Sequence, residues 1–105
     1  MSSMPLSEQF LKNAISDLKI TPGEYFPEVQ FCVDSRSLQK GDLFVALSGS
    51  EYNGHDFIGQ ALQLGASGIL LAKNEEHRLS KYKDLLVGKW ILVADCPSSA
   101  LVELA

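Results

Sequence analysis

No stretch of this sequence is strongly basic: nine Lys and Arg stand against thirteen Asp and Glu, for a formal charge of −4. A surface that neutralises a phosphate backbone needs clustered cations, so nucleic acid is excluded as a partner. No apolar run approaches the ~18–20 residues needed to cross a bilayer, so no membrane association is expected. The start, MSSMPLSEQF, lacks a basic segment followed by an apolar one, the pattern of a secretory signal. The expected location is therefore the cytoplasm. Cysteine is scarce, with only Cys32 and Cys96. Neither has the spacing of a zinc ligand set, and both are read as reduced core thiols. His55 and His77 are too far apart to form a metal pair, so no metal site is expected. No GxxxxGK[ST] loop offers a grip on ATP. No GxGxxG follows a strand, and no serine sits in a GxSxG elbow. The chain carries no complete catalytic constellation.

What is present is enough for a core. In 105 residues, 46% are hydrophobic, including five Phe and one Trp, which fits one packed domain. Leu6, Phe10, Leu11, Ala14, Ile15 and Leu18 recur at helical spacing and predict a helix over 5–18. Pro22 and Gly23 end this lead-in, which occupies residues 1–28. VQFCV (29–33) alternates as a strand does. After a turn at Lys40-Gly41-Asp42, LFVAL (43–47) is apolar without alternation, the mark of a strand covered on both faces. Phe57, Ile58, Ala61, Leu62 and Leu64 predict a helix capped by Gly65. ASGILLA (66–72) is again a strand, so 43–72 reads as a βαβ unit. A short helix is expected at 79–86 and a last strand at WILVA (90–94). Asp95 is placed as the cap of a helix opening at Pro97. That helix shows no C-terminal signal before the sequence ends, so it is expected to continue beyond residue 105. The expected fold class is α/β: a small three-layer domain with a mostly parallel or mixed sheet flanked by helices.

The densest polar chemistry brackets LFVAL. Ligands of parallel α/β sheets gather outside the carboxyl ends of strands. The connection 48–54 occupies that position, and Asp34, Ser35 and Arg36 do so as well if their strand lies alongside and points the same way. Gly49 and Gly54 permit backbone that turns amides toward a ligand, and the following helix start favours phosphate. Arg36 offers a planar fork of donors to phosphate oxygens. The same residues also serve as plain turn glycines, loop-satisfying carboxylates, a surface ion pair, and a packing or capping His55. On residue chemistry alone both readings stand.

The stretch DSRSLQKGDLFVALSGSEYNGHDFIGQALQLGASGILLA resembles the N-terminal domain of the Mur ligases that extend the peptidoglycan stem peptide. The pattern is DSR, four residues, GDLFVAL, then G, four residues and GHDFI. The resemblance runs on through WILVAD and leaves the first thirty residues largely outside. It implies that 1–105 is the N-terminal UDP-MurNAc-binding domain of a three-domain, ATP-dependent acid–amine ligase. Such a fragment would be inactive alone. Its partners would be a UDP-MurNAc-peptide and the rest of its own ligase chain, and ATP and Mg2+ would be held by the parent enzyme outside this fragment. Two family members share this type of domain. One adds D-alanyl-D-alanine to UDP-MurNAc-tripeptide, the other a diamino acid to UDP-MurNAc-dipeptide. An aromatic residue, Tyr52, two positions before Gly54 looks more like the former. By the same resemblance Ser35 and Arg36 would lie near the nucleotide, and Ser50, Glu51 and Tyr52 would border uracil and ribose. Asn53, Gly54 and His55 would shape the turn beneath. Asn53 departs from the aspartate more usual there, which removes a charge. The reading from another class is a non-enzymatic module that binds a nucleotide-sugar or a protein.

Overall fold

LFVAL becomes the middle of a sheet. In the computed structural model, which describes residues 3–15, 18–24, 26–48 and 53–104, Leu43, Phe44 and Val45 are buried without exception. Side chains of a strand alternate between faces. Leu43 and Val45 join Leu70, Trp90 and Leu92 in one cluster, with Leu11, Ile15 and Ala100 packed over them. Phe44 and Ala46 join Ile69, Leu71 and Val93 in a second cluster, beneath Ile58, Ala61 and Leu62. Burying one such side chain fully contributes roughly 1.5–3 kcal/mol, so neither face could be left bare.

The strands are β1 (Ser3–Leu6), β2 (Lys19–Thr21), β3 (Phe26–Cys32), β4 (Leu43–Val45), β5 (Gly68–Ala72) and β6 (Trp90–Ala94). The helices are α1 (Glu8–Ala14), α2 (Ile58–Gln63) and α3 (Pro97–Leu104). Among the described residues the sheet order is β1-β3-β4-β5-β6-β2. β3, β4, β5 and β6 run parallel. β1 and β2 close the two ends antiparallel, against β3 and β6. The molecule is therefore a three-layer α/β domain with a mixed sheet, α1 and α3 on one face and α2 on the other, and β4-α2-β5 as its βαβ unit.

Two glycines are demanded locally. Gly65 follows α2 at φ 98°, the left-handed conformation in which a helix ends. Gly68 lies against β6, where a Cβ would come within 2.5 Å of the Trp90 carbonyl oxygen and 2.6 Å of its Cβ.

Several elements differ from expectation. The helix predicted over 5–18 shortens to Glu8–Ala14, because Ser7 caps it, accepting from the Phe10 amide at 3.3 Å. The residues before it form β1, an edge strand, where a proline such as Pro5 is tolerated. β2 was not foreseen. Its three residues pair Lys19 with Val93, Ile20 with Leu92 and Thr21 with Ile91. The segment Lys73–Tyr82 is a 3-10 helix, earlier in sequence than the helix expected at 79–86. α3 opens at Pro97 as expected, but the Cys96 carbonyl accepts its first bond, from the Ala100 amide at 3.0 Å, so the cap position is Cys96 and not Asp95. Cys96 is exposed and Cys32 half-buried, both unbridged, so Cys96 is not the core thiol expected.

Replacing Gly68 by Ala forces β5 and β6 apart at their closest approach. The expected loss is about 3 kcal/mol in urea unfolding, and an unchanged midpoint would contradict this packing.

Candidate functional site

Because β3 to β6 are parallel, the connections that follow them all leave at one edge of the sheet. Phe31 pairs with Leu43 and Cys32 with Phe44, so the segment after β3 and the segment after β4 are neighbours. The sequence reading assumed this adjacency, and the pairing supplies it for the described residues. Ser50, Glu51 and Tyr52, together with Gly49, lie outside the described residues.

After β3 the chain makes a single 3-10 turn, Ser35–Ser37, capped by Asp34. Asp34 accepts from the Arg36 backbone amide at 2.9 Å. It also takes Arg36 Nε on Oδ1 at 3.0 Å and Nη2 on Oδ2 at 2.9 Å. These bonds from Arg36 hold the Asp34 carboxyl below its ordinary value. The Arg36 side chain is 82% exposed, so its charge stands in solvent at the carboxyl edge. Ser35 faces the other way: it is 1% exposed, and its hydroxyl donates to Gln60 Oε1 on α2 at 3.2 Å.

The connection after β4 is pinned at its base. Gly54 N–H donates to the Leu47 carbonyl at 2.7 Å, and Ser48 bridges Asn53 in antiparallel fashion. A Cβ at Gly54 would meet the Leu47 amide nitrogen at 2.8 Å, so the glycine is required by close backbone approach. Of the amides expected to open toward an anion, those of Gly54, His55 and Asp56 are occupied. Gly54 donates to Leu47, His55 to Asn53 Oδ1 at 3.0 Å, and Asp56 to the Asn53 carbonyl at 3.0 Å. The chain then passes through a 3-10 turn, Gly54–Phe57, into an α2 of six residues.

His55 is 1% exposed and lies under this connection. Its Nε2 accepts the Ala72 amide at 3.1 Å, which leaves Nδ1 to carry the proton of the neutral ring. Nδ1–H donates to Asn53 Oδ1 at 2.7 Å. Burial lowers the pKa of His55, outweighing the opposite pull of Glu75, so the ring is neutral. Asn53 Nδ2 in turn donates to Glu75 Oε2 at 3.2 Å. Glu75 Oε1 accepts Arg78 Nε at 2.7 Å, and Arg78 Nη1 reaches Asp56 Oδ1 at 2.7 Å. Hydrogen bonds from Arg78 first, then Asn53, lower the Glu75 pKa.

Beside this network is a cavity of about 340 Å³ at the carboxyl ends of β4, β5 and β6, lined by Ser48, Asn74, Asp95, Cys96 and Ser98 among others. The Cys96 thiol is lowered to about 7 by the hydroxyls of Ser98 and Ser99 and the Ser99 backbone. A wider depression of about 500 Å³, between Glu28, Gln30, Lys40 and Asp42, lies at the opposite, amino edge. Among the described residues no group of three or more His, Cys, Asp or Glu is placed to hold a metal ion. No helix there is long and apolar enough to cross a membrane.

Sequence reading missed Gln60, Glu75, Arg78 and the cavity-lining Cys96. The one available signal was the three-residue spacing of Glu75 and Arg78, which juxtaposes opposite charges on a helical turn.

An open α/β sheet with polar connections gathered on its carboxyl edge is the class this geometry defines. Residues 30–94 match the Mur ligase family, catalytic domain, and the chain belongs to the Mur ligase family. Over 39 residues it is 54% identical to the UDP-N-acetylmuramoyl-tripeptide--D-alanyl-D-alanine ligase of Synechocystis sp., covering 37% of this chain and 9% of that protein. Over 61 residues it is 39% identical to the UDP-N-acetylmuramoyl-L-alanyl-D-glutamate--2,6-diaminopimelate ligase of Haemophilus ducreyi, covering 58% and 12%. The solved MurF structure from Acinetobacter baumannii shares its fold with a TM-score of 0.67 at 21% identity, over 99% of this chain and 21% of that one. The chain spans about a tenth of the length of these curated relatives.

A neutral buried His55 sets a pH dependence. In the unfolded chain it takes up a proton near its ordinary 6.5, whereas the folded chain resists. Its contribution is complete above that value and is lost as pH falls through the lower folded pKa. Glu75, lowered from 4.5, adds a second loss at more acid pH, again above which its contribution is complete. Denaturant melts across pH 4–8 should therefore show stability rising with pH to a plateau near neutrality. His55→Ala, which strands the Ala72 amide, should cost about 2–4 kcal/mol and flatten the upper part of the profile. A wild-type profile flat between pH 5 and 7 would contradict the buried neutral ring.

Proposed function

We infer that the chain is the UDP-MurNAc-peptide-binding domain of an ATP-dependent peptidoglycan-precursor ligase. The reaction favoured is addition of D-alanyl-D-alanine to UDP-MurNAc-tripeptide. The observation that carries the reading is the adjacency of the connections after β3 and β4 on one edge, with the exposed Arg36 guanidinium between solvent and sheet. The Nε and Nη2 donors are held by Asp34, so a diphosphate would be met by the charge of the exposed guanidinium rather than by that fork. Ser50, Glu51 and Tyr52 are assigned to border the uracil and ribose. Asn53, Gly54 and His55 support that border from below, and Ser35 holds the β3 connection onto α2 through Gln60.

The chemistry of such a ligase needs ATP and Mg2+. The sequence has no phosphate-gripping loop, and the described residues offer no metal cluster, so these groups do not fit here and are assigned to other parts of the parent protein. The role of this chain is binding and orientation. Holding the uridine end, remote from the reacting carboxylate, turns binding energy into placement of the peptide end. The second reading, addition of a diamino acid to UDP-MurNAc-dipeptide, is favoured by the relatives of that name, one of which aligns over 76% of this chain at 35% identity. Assay of the parent enzyme with each amine and its matching nucleotide separates the two.

The isolated chain should bind UDP-MurNAc with a Kd above about 100 μM, or about −5.5 kcal/mol, because further contacts belong to other domains. Amide shifts on titration should cluster near Arg36 and Asn53, and Arg36→Ala should weaken binding about tenfold without lowering Tm. Absence of any shift at millimolar ligand, or sub-micromolar binding, would contradict the reading.

A further inference from the structure

Bonds at the carboxyl edge form a chain with one direction. Ala72 N–H donates to His55 Nε2, His55 Nδ1–H to Asn53 Oδ1, and Asn53 Nδ2 to Glu75 Oε2. Glu75 carries only acceptors, and its other oxygen is held by Arg78. Each link therefore has one possible polarity. The Glu75 carboxylate and the His55 backbone amide both require the Asn53 oxygen to face His55. The Ala72 amide can only donate, so the ring proton sits on Nδ1, where the Asn53 oxygen receives it. The same Asn53 oxygen caps the His55 amide, and Ser48 Oγ donates to it at 3.5 Å. Asn53 and Ser48 are the two described ends of the β4–α2 connection. Arg78 adds a second tie through Asp56.

We propose that Glu75 and Arg78, on the 3-10 segment after β5, are positioning residues for the β4–α2 connection, acting through Asn53 and His55. They lie 22 residues beyond the groups they orient and belong to a different connection. The charged groups facing His55 are Glu75, Asp56 and Arg78. The consequence for nucleotide affinity rests on the function proposed above; the orientation of Asn53 and His55 does not.

The test compares the wild-type chain with Glu75→Gln, Arg78→Ala and Arg78→Lys. Nitrogen-15 spectra of the imidazole report the tautomer, and amide exchange reports the anchors. In the wild type His55 should be the Nδ1–H tautomer, with protected His55 and Ala72 amides. Glu75→Gln, whose amide can face either way, and Arg78→Ala should each shift the His55 Nδ1 resonance through a loosened Asn53, while the Ala72 bond keeps the Nδ1–H tautomer. They should speed exchange at His55 and Ala72 about tenfold, with Ile69 and Leu92 unchanged. Arg78→Lys should restore part of the protection, since a point charge reaches one carboxylate but not both in fork geometry. An undisturbed Nδ1 resonance and unchanged exchange in both variants would overturn the proposal, as would a uniform rise that includes Ile69 and Leu92. UDP-MurNAc titration of the same proteins separates the two readings. No binding by the wild type removes the proposed function and leaves the network to be decided by the spectra. Wild-type binding that Arg78→Ala leaves unchanged, despite a disturbed His55, would overturn the positioning role.

Discussion

Four strands lying parallel is the constraint from which the rest of this structure follows. β3, β4, β5 and β6 point one way, so each must be followed by a connection at the same edge. Parallel strands also need cover on both faces, and the alternation of Leu43 and Val45 against Phe44 divides the core between α1 and α3 on one side and α2 on the other. Gly68 lets β5 approach Trp90 closely enough to keep the register. Polar groups are thereby expelled from the middle of the sheet and collected where the strands end.

At that edge the two kinds of polar group behave differently. Arg36 is braced by Asp34, and its side chain stays in solvent. His55 and Ser35 are hidden and spend their hydrogen bonds on the protein itself, at Ala72, Asn53 and Gln60. Leaving a buried polar group without a partner costs free energy, and the histidine beneath this connection is tied at both nitrogens.

Much of this was legible in the residues. LFVAL announced a doubly covered strand because it lacks alternation, WILVA matched β6 at both ends, and Gly65 marked the end of α2. β1 and β2 were illegible, since strands of four and three residues at the ends of a sheet are defined by their partners more than by any pattern of their own. The Asn53–Glu75 contact was hidden for a similar reason: it joins ordinary polar residues 22 positions apart. A carboxylate in place of Asn53 would face Glu75 within hydrogen-bonding distance, whereas the amide supplies the donor that Glu75 accepts. Free amides were expected from sequence near His55 and Asp56, and those of Gly54, His55 and Asp56 are instead occupied by Leu47 and Asn53.

The central claim is that the nucleotide end of the substrate rests on the carboxyl edge of the parallel strands. Intermolecular nuclear Overhauser effects between the uracil and ribose protons of UDP-MurNAc and this chain test it most directly. The account predicts contacts to the connections after β3 and β4, from Asp34 to Ser37 and from Ser48 to Asn53. Contacts instead to Glu28, Gln30, Lys40 and Asp42, which line the depression at the amino edge, would contradict it.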